Sequence, residues 1–70
     1  MKNKDESWKL IGERIRELRL EKSITQKSLA ELAKIDRTGL NLVESGTHPV
    51  SIKSLYAISA ALGVSPCDLI

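Results

Sequence analysis

The sequence holds one cysteine, Cys67, so no internal disulfide can brace it and no thiolate cluster can hold zinc. Nothing around Cys67 resembles the setting of a nucleophile, and it is assigned a structural role. A lone histidine, His48, and acids scattered among bases leave no constellation for acid–base catalysis, and no glycine-rich phosphate loop is present. The chain is therefore read as not an enzyme, with no metal and no cofactor. No apolar run approaches the roughly 20 residues that cross a bilayer, so no membrane partner is expected. The amino end, MKNKDESWKL, lacks an apolar signal core and a small-residue cleavage site, which makes the cytoplasm the expected location.

What is present points to a small globular protein. Seventy residues suit one domain, residues 1–70, which hides only about 60% of the surface that its unfolded chain exposes. The 41% hydrophobic content is that of a globular chain rather than a disordered one. A net charge of +2 permits nucleic-acid binding without demonstrating it.

Apolar residues recur at spacings of three and four in segment after segment, which predicts an all-α chain. Trp8, Ile11, Ile15 and Leu18 share one face of a first helix, opposite a solvated face of Glu13, Arg14, Arg16, Glu17 and Lys22, and Ser23 begins its exit. Thr25 is a good N-cap for a second helix that runs to about Ala33. Asp36 caps a third that turns Leu40 and Val43 inward, and Ser45 and Gly46 close it. Ser51 caps a fourth, with Ile52, Leu55, Ile58 and Leu62 as its buried stripe and Gly63 as its stop. Ser65, Pro66 and Asp68 repeat the start pattern and predict a fifth helix.

The second and third of these helices are short, and helices of about two turns are not stable alone. Two of them joined by the short break KID, with Leu29, Ala30, Ala33, Ile35, Leu40 and Val43 facing inward, have the geometry of a helix-turn-helix over about residues 25–45. Ala30 keeps the crossing close. The segments IRELR, TQKSLAELA, IDRTGLNLVESG and LGVS carry a resemblance, over residues 11 to 70, to the helix-turn-helix family of phage repressors and Cro proteins (XRE-like). DRTGLNLVESG followed by SIKSLYAISAALGVS is most similar to the controller proteins of restriction-modification systems. The resemblance implies a five-helix repressor-like domain that dimerises and lays its third helix in the major groove of double-stranded DNA. It implies a sequence-specific transcriptional regulator, with RNA polymerase as a further partner. A phage-type repressor or an antitoxin-like protein-interaction module is the alternative.

With Leu40 and Val43 turned inward, the third helix presents Arg37, Thr38, Asn41 and, obliquely, Leu42. These are base-reading side chains: Arg can bond guanine O6 and N7, Asn can pair with adenine, and the Thr methyl can touch thymine. By resemblance, Gln26 clamps a phosphate at the start of the second helix, with Lys27, Ser45, Thr47, His48 and Lys53 as supports. Resemblance also assigns Arg19 and Glu44 to a structural ion pair. Tyr56, Val64, Leu69 and Ile70 are apolar residues left over near the carboxyl end, and they are the expected homodimer interface, which implies an inverted-repeat operator. Two positions depart from expectation. Lys34 stands where the family's turn has a glycine with positive φ, so the turn is either strained or adjusted. Gly39 lies inside the third helix, at a cost of about 1 kcal/mol relative to Ala. Close approach to a base and plain tolerance both remain open for it.

Overall fold

A computed structural model describes the backbone of residues 4–69 and the side chains of residues 8–69. Four α-helices, α1 (Lys4–Glu21), α2 (Gln26–Ala33), α3 (Arg37–Ser45) and α4 (Ile52–Leu62), are followed by a 3-10 turn (Pro66–Leu69), with no strand among the described residues. The all-helical class is as expected, but the fifth element is not an α-helix. It closes by a three-residue step, Asp68 N donating to Ser65 O at 2.9 Å, and the Asp68 carboxylate accepts in return from Ser65 N at 3.0 Å.

α1 packs against α3, and α2 against both α3 and α4. Ile15, Leu29, Leu40, Ile58 and Leu69 are the fully buried large side chains at the centre. Ile52, expected in the buried stripe of α4, is instead 67% exposed, because it opens the first turn and the stripe begins at Leu55. Val50, from the preceding loop, packs against the core. Cys67 is exposed, so it has no packing role.

Three helices end in the same way. After α1, α2 and α4 a residue takes the left-handed conformation, Ser23 (φ 57°), Lys34 (φ 59°) and Gly63 (φ 74°). The next residue, Ile24, Ile35 or Val64, donates its N–H back to Arg19, Ala30 or Ser59 and packs against the core. This resolves the turn at Lys34: the left-handed geometry is kept and lysine carries its strain, because the apolar contact of Ile35 depends on it. Thr25 and Ser51 cap as expected, accepting from Ser28 N and Ser54 N at 3.1 Å each. Asp36 holds the extended N-cap conformation, but its side chain makes no capping bond.

Gly12 sets the crossing of α1 and α3. A Cβ there would collide with the Val43 carbonyl oxygen and lie 3.0 Å from that of Glu44. The small residue that this approach requires is on α1, in addition to the buried Ala30 on α2.

Candidate nucleic-acid interface

The exposed face of α3 is held from behind by two anchors, Leu40 and Glu44, which are 0% and 7% exposed. Being four residues apart they share one side of the helix, and the other side is turned out. Arg37, Thr38, Asn41 and Leu42 are all exposed, Leu42 at 37%.

Glu44 is the junction of three elements. Its carboxylate accepts from Arg19 Nε at 2.8 Å and Arg19 Nη2 at 3.1 Å, a two-pronged pair, and from Gln26 Nε2 at 3.1 Å. Arg19 uses its remaining prong on the Ile24 carbonyl at 2.9 Å. The end of α1, the start of α2 and the last turn of α3 are thus tied together by charge-assisted bonds sheltered from water. The Gln26 amide is thereby oriented by Glu44, and its second N–H and carbonyl oxygen make no hydrogen bond among the described residues at the amino end of α2.

The expected phosphate-contacting residues divide by location. Gln26 lines an open cleft with Arg16, Asn41 and Ser45, one wall of which is the Arg19–Glu44 pair. Ser45, Thr47 and His48 form an exposed chain at the end of α3: Ser45 Oγ lies 2.8 Å from Thr47 Oγ1, which lies 3.0 Å from His48 Nδ1, and Ser45 Oγ donates to the Leu42 carbonyl at 2.7 Å. His48 also lines a second groove, on the other flank of α3, with Gly39 and Leu42. Lys53 is not brought to either cleft. It lies beside Lys34, in a groove between the turn and α4 that adjoins the second one through Ile35 and Ser54. Lys27 is exposed one residue after Gln26.

Arg16 belongs with these residues, although the sequence pattern placed it on a merely solvated face. It is exposed and makes no ion pair among the described residues. The signal for it was available: three residues before Arg19, it stands one turn away on the side of α1 that turns toward α3.

The apolar carboxyl-terminal patch is smaller than expected. Leu69 is 2% exposed, since the 3-10 turn folds it back into the core, so it offers no surface to a partner. Arg14 holds that turn against α1 by donating from Nε to the Asp68 carbonyl at 3.0 Å. Val64 is half-buried and packs on the core, and Ile70 lies outside the described residues. Tyr56 is 58% exposed, and Ile52, one turn earlier on α4, adds to its apolar surface. Among the described residues no helix is long and apolar enough to cross a membrane.

This geometry has clear relatives. A family model described as helix-turn-helix matches residues 15–69. The control protein C.BamHI of Bacillus amyloliquefaciens is 42% identical over 62 residues, which cover 87% of this chain and 76% of that protein. The control protein C.MunI of a Mycoplasma species is 37% identical over 60 residues, 84% of this chain and 81% of the other. The crystal structure of the restriction-modification controller protein C.AhdI from Aeromonas hydrophila superposes with a TM-score of 0.89 at 34% identity, covering 91% of this chain and 97% of that one. With a family match over residues 15–69 and relatives of 42% and 37% identity covered over 76% and 81% of their lengths, this chain belongs to the helix-turn-helix family.

Proposed function

We propose that the protein is a sequence-specific DNA-binding transcriptional regulator, the controller of a restriction-modification system, and that it performs no catalytic step. The observation that carries the reading is the outward face of α3, where Arg37, Thr38, Asn41 and Leu42 are exposed together while Leu40 and Glu44 anchor the helix from behind. An α-helix fits the major groove, and these side chains offer a guanidinium, an amide and methyl groups to base edges there. Gln26, Arg16, Ser45, Thr47 and His48, on the two flanks of α3, hold the phosphates, with Lys27 and Lys53 adding charge. The similarity to C.BamHI, C.MunI and C.AhdI, all named as control or controller proteins, supports the narrower role.

One short helix reads few bases. The protein therefore acts as a homodimer, through Tyr56, Ile52 and the exposed part of Val64, on two half-sites of an inverted repeat about 34 Å apart. It works in the cytoplasm as one domain, and RNA polymerase is the partner through which bound protein alters transcription.

The test is an electrophoretic shift with duplex DNA from immediately upstream of its own gene, against excess unrelated DNA at fixed salt. A discrete complex that survives the competitor is expected. Equal loss of the complex to either DNA would overturn the reading, and the product of the neighbouring gene tests whether a restriction enzyme is under control.

A further inference from the structure

Gly12, Gly46 and Gly63 each have a cause within the chain. A Cβ at Gly12 would collide with backbone, Gly46 has a φ of +76° with Lys9 Cα 2.6 Å from where its Cβ would stand, and Gly63 has a φ of +74°. Gly39 has none. It sits within α3 in ordinary helical conformation, and the nearest atom that its Cβ would meet is Asp36 Cβ at 3.9 Å, a normal contact. Alanine would fit and would favour the helix. Nothing among the described residues requires glycine here, and the space above its Cα is open at the face that α3 presents.

The gap left by Gly39 opens into the groove on that flank of α3, where Ile35, Leu42, Val43 and Val50 supply apolar walls. We propose that Gly39 is a specificity-determining residue, and that the recess above its Cα receives the 5-methyl group of a thymine in the major groove. This rests on the reading that α3 enters that groove. Thymine is the base whose major-groove edge carries a methyl group, and the walls of Ile35, Leu42, Val43 and Val50 beside Gly39 favour that edge over the polar edges of the other bases, with His48, Ser51 and Ser54 completing the lining. Leu42, one turn on, would close over the methyl.

The experiment uses the full chain and a duplex that the wild-type protein selects from a random pool. Each thymine of that duplex is replaced in turn by deoxyuridine, which removes only the methyl. The wild type should lose about fourfold in affinity per half-site at one thymine position, the value of one buried methyl-sized group. Gly39→Ala should melt several degrees higher, which shows that it folds, yet bind the selected duplex several-fold more weakly and be indifferent to that one methyl. A wild type insensitive to every replacement overturns the proposal. So does a Gly39→Ala protein that keeps the wild-type pattern, or one that is weaker on all duplexes with its methyl discrimination intact. A wild type that selects no sequence at all overturns the DNA-binding reading itself, a failure seen before any variant is made.

Discussion

Replacing Glu44 with alanine strands the Arg19 guanidinium in a site where Arg19 is 8% exposed and Glu44 itself 7%. Three hydrogen bonds of 2.8 to 3.1 Å end on that carboxylate, two from Arg19 and one from Gln26. Breaking a buried pair by removing one partner destabilises by about 3 to 5 kcal/mol, since the surviving charge keeps its desolvation penalty. A chain of 70 residues has a total stability of roughly 4 to 10 kcal/mol, so about a third of it or more would be lost. The midpoint of thermal unfolding should fall by more than about 12 °C. Arg19→Leu should do comparable harm by stranding Glu44, whereas the double replacement of both residues by leucine should recover most of the loss, because neither charge is then buried alone. Urea unfolding followed by circular dichroism at pH 7 measures all three. A loss below about 1 kcal/mol in both single variants would refute the reasoning, for it would mean that the pair is solvated and worth no more than a surface ion pair.

Lys34→Gly should stabilise the fold by about 1 kcal/mol, because a left-handed residue with a Cβ is strained there; a lower melting temperature would contradict this. Arg16→Ala should reduce the slope of log affinity against log salt by about one, with base preferences unchanged, in titrations at several salt concentrations. Ile52→Asp combined with Tyr56→Asp should shift the protein from dimer to monomer in sedimentation without lowering its stability by more than about 0.5 kcal/mol, both sites being exposed.

The helices were legible because their signals are local. Thr25 and Ser51 at the starts, Gly46 and Gly63 at the ends, and the apolar stripe of Leu55, Ile58 and Leu62 can be read within a few residues of chain. The limits of that reading have the same origin. The burial of Leu69 depends on a turn folding back onto the core, the exposure of Ile52 on where the stripe of α4 begins, and the demand for a glycine at position 12 on the carbonyls of residues 43 and 44. None of these is visible at short range. Pro66 and Ser65 mark a helical start equally well for an α-helix or a 3-10 turn, and a three-residue closure separates the two only in three dimensions. The outward face of α3 was legible once Leu40 was set inward, because a helix with one anchored side has the other determined. The division of the phosphate-contacting residues was not. Lys53 and Gln26 are both polar residues near helix starts, and only the packing of α2 on α4 sets Lys53 beside Lys34, away from the Gln26 cleft. Arg16 has the local pattern of any solvated arginine, and only the packing of α1 on α3 brings it to the cleft beside Gln26 and Asn41.

That α3 reads base edges through its exposed face is tested most directly by titrating the wild type, Arg37→Ala and Gln26→Ala against the operator and its single-base variants at fixed salt. Arg37→Ala should lose about 1 to 3 kcal/mol per half-site and flatten the preference at one base position, as loss of a two-pronged contact to guanine requires. Gln26→Ala should weaken binding to every duplex alike, because a phosphate contact carries no base information. If Arg37→Ala keeps full discrimination at every position, the assignment of the α3 face as reader through this residue is wrong.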